Sequence, residues 1–297
     1  MVKRRGKARV SIGDDACVLR DGTVVTTDAY AEGVHFDLGY MTLREVGTRC
    51  ACAALSDIFA MAAEPDALLV ALGVPAGMKS AGVRALYTGI EQACARLGGE
   101  VTGGDIIAAD RLLLAITVTG HCRSPKLRSS ARPGDRLYLS GWAGLAETGR
   151  EVLRLGLSRR GYAAAVKRHI EPWPRAAVIG AIAPRVHALI DTSDGIATDA
   201  RHLSEMSRVR VTIEPGRLPI HPETGDFCRR TGRDPTEFAL VSGEDYELLL
   251  TGPGGLPDSV KSVPLTPIGR IEKGSDTWLS SRGRTDRLRL RGYDHLG

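Results

Sequence analysis

The chain has 297 residues, enough for one large domain or two ordinary ones around a sizeable core. Hydrophobic residues make up 43% and charged residues 25%, near the averages of soluble globular proteins, which excludes disorder, collagen-like repeats and a disulfide mini-scaffold. The 40 Lys and Arg against 35 Asp and Glu leave a net charge of +5, which suits a phosphate ligand but is too mild to indicate a nucleic-acid binder.

Six cysteines without a C-x-x-C pair argue for reduced thiols and a cytoplasmic protein. Cys50 and Cys52 fall two apart on a helical pattern, so they face different sides and read as buried small hydrophobes, not as a metal pair. The basic amino terminus is followed by no apolar segment, and no apolar run reaches the roughly 18 residues of a membrane span.

In chain order, the β-branched run Thr23 to Asp28 predicts a strand whose polar tip continues through Glu32, Gly33 and His35. Thr42 and Glu45 form a capping box, opening a helix that runs to about Ala63 and stops before Pro65. Ala67 to Val74 predicts a buried strand, and Ser80 caps a second amphipathic helix to about Leu97. Glu100 to Thr102 and Leu112 to Thr119 are two further strands. The turn Arg132-Pro-Gly-Asp135 places a domain boundary near Arg128, giving domains 1–127 and 128–297. Beyond it come a strand Arg136 to Ser140, helices Leu145 to Leu157 and Pro174 to Val186, and a strand Ala188 to Asp191. A helix Ile196 to Ser207 and strands Val209 to Glu214 and Leu248 to Thr251 follow, with Gly292 to Gly297 as a tail. The class is α/β, and no internal repeat appears.

The standard nucleotide motifs are absent: Gly73 to Ser80 misses the G-x-x-x-x-G-K-[ST] spacing, and no G-x-G-x-x-G follows a strand. What the sequence carries instead is a set of aspartates at the ends of apolar segments: Asp14 and Asp15, Asp28, Asp57, Asp105, and Asp191 with Asp194. Singly, Asp14, Asp57 or Asp194 reads as a turn former or helix cap, and Gly103-Gly104 as a tight turn. Together they form a hard oxygen donor set suited to Mg²⁺ shared with phosphates. Glu244-Asp-Tyr-Glu247 alone would be a solvated charge run.

The ordered motifs resemble the thiamine-monophosphate kinase family of the aminoimidazole-ribonucleotide-synthetase-like superfamily. They are Ile12-Gly-Asp-Asp-Ala16, Thr26-Thr-Asp28, Glu32-Gly-Val-His-Phe36, Leu55-Ser-Asp57, Gly103-Gly-Asp105, Arg128 to Asp135, Asp191-Thr-Ser-Asp-Gly195, Ser242-Gly-Glu-Asp-Tyr-Glu-Leu248 and Gly292-Tyr-Asp-His295. The resemblance implies transfer of the γ-phosphoryl group of ATP to thiamine monophosphate. It implies several Mg²⁺ ions held by Asp15, Thr26, Thr27, Asp28, Asp57, Asp105, Asp191 and Asp194. It places ATP on Gly104, Asp105, Arg128 and Ser193, and thiamine monophosphate on His35, Glu244 and Tyr293, with no general base. It further implies two α/β domains, the amino-terminal mixed sheet forming a shared barrel in a homodimer and the carboxyl-terminal half an α/β sandwich, and no nucleic-acid or membrane partner. Three departures stand out: a short leader before Gly13, Ser242 in place of the first Gly of its motif, and Ala62 where the family has a glycine, expected to affect helix packing. Another ATP-dependent superfamily member, such as a selenide, water dikinase or a purine cyclo-ligase, a non-catalytic nucleotide-binding scaffold, and a Mg²⁺-dependent phosphohydrolase that needs no ATP site remain the alternatives.

Overall fold

The computed structural model describes residues 8–281, 283–290 and 292. Two sheets are built from consecutive stretches of chain. The first contains β1 (Ala8–Val10), β2 (Cys17–Leu19), β3 (Thr23–Ala31), β4 (Glu64–Val74), β5 (Glu100–Ala108) and β6 (Leu113–His121), in the order β1-β2-β3-β6-β4-β5. All its pairings are antiparallel except β4 with β5. That parallel pair needs a crossover, and the helix α2 (Ser80–Leu97) supplies it.

Alternation decides which face is covered. Val24 and Thr26 of β3, Leu68, Val70 and Leu72 of β4, and Leu114, Ile116 and Val118 of β6 are buried beneath the helix α1 (Leu43–Ala60). The opposite face carries Leu69 and Leu113, 46% and 42% exposed, and stays open. Among the described residues the sheet does not close into a barrel. The two helices cross at glycines: a Cβ on Gly47 would meet the Leu86 carbonyl oxygen at 2.0 Å, and one on Gly89 would meet that of Arg44 at 1.9 Å.

The second half adds β7 (Arg136–Ser140), α3 (Leu145–Arg154), α4 (Ala163–Ile170), α5 (Ala176–Ile182), β8 (Leu189–Asp191), α6 (Ile196–Ser207) and β9 (Arg210–Ile213). Then come α7 (Pro222–Thr231), α8 (Pro235–Val241), β10 (Leu248–Gly252), β11 (Ser259–Val260), β12 (Val263–Glu272), β13 (Thr277–Ser281) and β14 (Arg284–Arg287). Its sheet runs β14-β13-β9-β12-β7-β10-β8, with β11 on β12. One apolar core extends from Val24 and Leu55 to Phe227 and Leu265, so it joins both halves, and a second lies between this sheet and α6. Cys50 and Cys52 are buried within the first, as small hydrophobes. No helix among the described residues is long and apolar enough to cross a membrane.

Three sequence expectations need correction. Ser80 is the first helical residue and makes no capping bond, because Lys79 occupies the cap position. The expected helix from Pro174 to Val186 is shorter, with a 3₁₀ turn at Ala183–Arg185 around Pro184. Ala62 acts through backbone conformation: it closes α1 with φ +54°, where its N–H donates to Phe59 O and that of Ala63 to Ile58 O. This is a Schellman termination, whose left-handed position favours glycine. Ala62→Gly is therefore expected to stabilise the protein by about 1 kcal/mol, read as a higher urea midpoint at unchanged slope; an unchanged or lower midpoint would contradict the assignment.

Candidate active site

The two halves meet where α1 ends. Ser56 and Asp57 lie side by side in its last turns and reach different partners. The Ser56 hydroxyl donates to Asp191 Oδ2 at 2.5 Å, and Asp57 Oδ2 accepts from the Thr26 hydroxyl at 2.6 Å. Asp191 is the last residue of the edge strand β8, and Asp15 lies in the turn between β1 and β2. One oxygen from each of Asp15, Asp57 and Asp191 lies within 4.8 Å of the others.

Like charges this close and this buried disfavour ionisation. Burial, then Asp28, Asp191 and Asp15, pushes the Asp57 carboxyl well above the usual carboxylate range. Burial and Asp15 push Asp191 up to about 7, burial and Asp15 push Asp14 to about 6, and burial raises Asp28. Among the described residues, the guanidinium paired with this cluster is that of Arg128, whose Nη2 and Nε donate to the two Asp15 oxygens at 2.6 and 3.2 Å. Asp191 Oδ1 is buried and has no hydrogen-bond partner among the described residues. An all-oxygen cluster with an unpartnered buried acceptor fits a hard divalent cation such as Mg²⁺.

A cavity of about 780 Å³ opens beside this cluster. Asp28, Asp57, Ser193 and Asp194 line it on one side; His35, Glu244 and Tyr246 line it elsewhere. The Ser242 to Leu248 segment divides its labour by position. Asp245 accepts from the N–H groups of Gly144 and Ala146 at the start of α3, and Glu247 is held by Arg175, Arg168 and the Ser140 hydroxyl, so both are buried anchors and not a solvated charge run. Glu244 and Tyr246 adopt φ +60° and +47°, which turns them toward the cavity. Such left-handed conformations cost of order 1 kcal/mol each in non-glycine residues and persist where the surroundings impose them. Here Glu244 N–H donates to Ser193 O and Tyr246 N–H to Thr192 O. Gly243 has to be glycine because a Cβ would meet Ser193 O at 2.4 Å.

On the other wall, His35 Nδ1 accepts from the Ala31 N–H at 3.1 Å. The ring meets Tyr30 edge-on at 5.6 Å.

Asp15, Thr26, Asp28, Asp57, Asp191, Asp194, Ser193, Arg128, His35 and Glu244 thus gather around one cavity and its carboxylate floor. Thr27 also lines the cavity, but its hydroxyl lies on the open face, 3.0 Å from that of Thr117. Gly104 and Asp105 are not brought to the cluster within one chain. They stand on the edge strand β5, three strands from β3 along the row Asp28, Ile116, Val70, Gly104, about 14 Å away at the usual strand spacing. Tyr293 falls outside the described residues, although Gly292 before it is anchored, its N–H donating to the Thr198 hydroxyl at 2.9 Å. Sequence reasoning missed Arg49, Tyr30, Tyr246 and Arg150. A lone arginine inside the Ala-rich run of α1 was the available signal for the first.

Comparison with known proteins agrees with this geometry. The family model for AIR synthase related protein, N-terminal domain, matches residues 13–122. The thiamine-monophosphate kinase of Aquifex aeolicus (strain VF5) is 30% identical over 100% of this chain and 96% of its own length. That of Mycobacterium tuberculosis (strain ATCC 25618 / H37Rv) is 32% identical over 91% of this chain and 82% of its own. The solved structure of AaThiL complexed with AMPPCP and TMP matches with a TM-score of 0.88 at 31% identity, covering 96% of this chain and 91% of that one. With this likeness running the full length of the sequence, the chain belongs to the thiamine-monophosphate kinase family.

Proposed function

We propose that the protein transfers the γ-phosphoryl group of ATP to the phosphate of thiamine monophosphate, yielding thiamine diphosphate and ADP. The observation that carries this reading is the convergence of Asp15, Asp57 and Asp191, from both halves of the chain, beside a cavity whose other wall holds His35 and Glu244. An acceptor phosphate monoester is already largely dianionic near neutral pH, so an acceptor oxygen attacks without a general base. As its bond to the γ-phosphorus forms, the bond to the ADP oxygen breaks. The protein's task is then to bring two polyanions together and balance their charge.

Asp15, Asp57 and Asp191, with Thr26, Asp28 and Asp194 around them, would hold Mg²⁺, which would neutralise charge on the transferring phosphoryl group; Thr27 and Asp105, which the resemblance adds to the set, would take part only where a second copy meets the open face. Ser56 and Thr26 orient Asp191 and Asp57 by donating to one oxygen of each, and Arg128 fixes Asp15. Gly104, Asp105, Arg128 and Ser193 are assigned to ATP. His35, Glu244 and Tyr293 are assigned to thiamine monophosphate, whose thiazolium cation suits the Glu244 carboxylate. We read the chain as two domains, 1–127 and 128–297, acting in the cytoplasm. A homodimer is supported by the open face of the first sheet, since a second copy packed there would cover Leu69 and Leu113 and bring Thr27 inside the assembly.

The reaction assay is thiamine diphosphate formation from ATP, thiamine monophosphate and Mg²⁺. Product is expected only when all three are present, and free thiamine is not a substitute; ATP binding without product would reject the assignment. Asp57→Asn is expected to lower turnover by ~10²-fold or more while leaving the far-UV circular dichroism spectrum unchanged. Parental turnover at saturating Mg²⁺ would remove Asp57 from the metal set.

The raised carboxyls also set a pH dependence. With a chelator present, the folded state holds protons on Asp14 and Asp191 that the unfolded chain releases near pH 4, so their contribution to stability falls as pH rises from about 4 to about 7. Mg²⁺ opposes that loss, so the melting temperature gained on adding it is expected to grow across the same window. Asp191→Asn is expected to flatten the slope without metal; a gain independent of pH would count against the cluster as the cation site.

A further inference from the structure

The Arg49 guanidinium is 3% exposed and spends its donors on three segments that come from far apart in the chain. Nε donates to the His35 carbonyl oxygen at 2.9 Å and Nη1 to the carbonyl oxygen of His169 at the end of α4, while Nη2 lies 2.7 Å from Glu244 Oε2 as an ion pair outside hydrogen-bond geometry. His35 and Glu244 both line the cavity, on the amino-terminal and carboxyl-terminal halves respectively. The Asp15, Asp57 and Asp191 cluster is not among its hydrogen-bond partners.

We infer that Arg49 is a positioning residue for the thiamine monophosphate end of the cavity, setting the spacing between the His35 loop and Glu244. This deepens the proposed function and rests on it. The geometry explains why an arginine is needed. Glu244 sits at φ +60°, a conformation with no steric preference for glutamate, so its direction must be imposed from outside. The ion pair does this from beneath, while the Glu244 N–H to Ser193 O bond does it from the backbone. The planar fork is held by two carbonyls, those of His35 and His169, and so fixes its charge against the Glu244 carboxylate; an ammonium group keeps the charge and loses that two-point hold. Arg49 has no surface left for substrate, so its effect has to pass through the two residues it holds.

The test separates positioning from folding by comparing substrates. Arg49→Lys, checked by its melting temperature, is expected to raise KM for thiamine monophosphate at least tenfold and leave KM for ATP within twofold. Glu244→Gln, which cuts the same link from the half-exposed side and spares the buried arginine, is expected to shift KM in the same direction. The two changes combined are expected to cost much less than the product of their separate effects, because they break one linkage. Equal rises in both KM values, multiplicative effects in the double variant, or a lowered melting temperature with parental kinetics would each overturn the positioning role. Absence of thiamine diphosphate formation by the parent protein would instead overturn the functional reading, and the inference with it.

Discussion

Holding several carboxylates of low exposure within 4.8 Å of one another is the constraint on which the rest of this structure depends. Asp57 and Asp191 are more than 130 residues apart in sequence, and Asp15 comes from a third segment. Such a cluster opposes folding unless charge is offset or protons are taken up. The protein answers with one bidentate arginine, Arg128, and with hydroxyls from Thr26 and Ser56, each of which uses one oxygen and leaves others for a cation. The extensive apolar core shared by the two halves supplies the stability against which this local penalty is set.

The same logic explains why α1 is the central element. Its small residues let it lie close to both the first sheet and α2, with Gly47 and Gly89 at the helix crossing. A helix seated that deeply presents its carboxyl-terminal turn, with Ser56 and Asp57, directly to the second half. Its midpoint carries Arg49 to the Glu244 and His35 end of the cavity. One rigid helix therefore indexes both ends of the cavity against each other, which suits a reaction in which the two substrates repel.

Legibility in the sequence followed the range of the physical signal. The Thr42 capping box, the β-branched run at Thr23 and the Arg132 to Asp135 turn are decided by neighbours in the chain, and each appears in the structure. The helices α4, α7 and α8 and the strands β12 to β14 escaped notice, their patterns being short and interrupted by Gly, Pro and charge. Around the site, the aspartates could be found because carboxylates at the ends of apolar segments are locally unexpected. Arg49 could not be interpreted, since an arginine's role depends on three partners distant in sequence. Nor could alternation be read in Glu244 to Glu247, where two left-handed residues turn a formal charge run into buried anchors and cavity groups by turns.

Asp105 shows where even a correct fold leaves a motif unexplained within one chain. Its strand partner is Ala71, which is paired in turn with Ala115 and so with Ala29, a row that lies on the open face of the sheet. Side chains alternate across a sheet, so a residue on this row faces away from Asp28 whatever its rotamer. Only a body packed on that face could put the Asp105 carboxylate in a phosphate-binding centre. The alanines of the row have no side chain long enough to block such an approach, and Leu69 and Leu113 beside them offer apolar area to hold it. A second copy packed there, as proposed, would account at once for the carboxylate at the end of Gly103-Gly104 and for the uncovered apolar face.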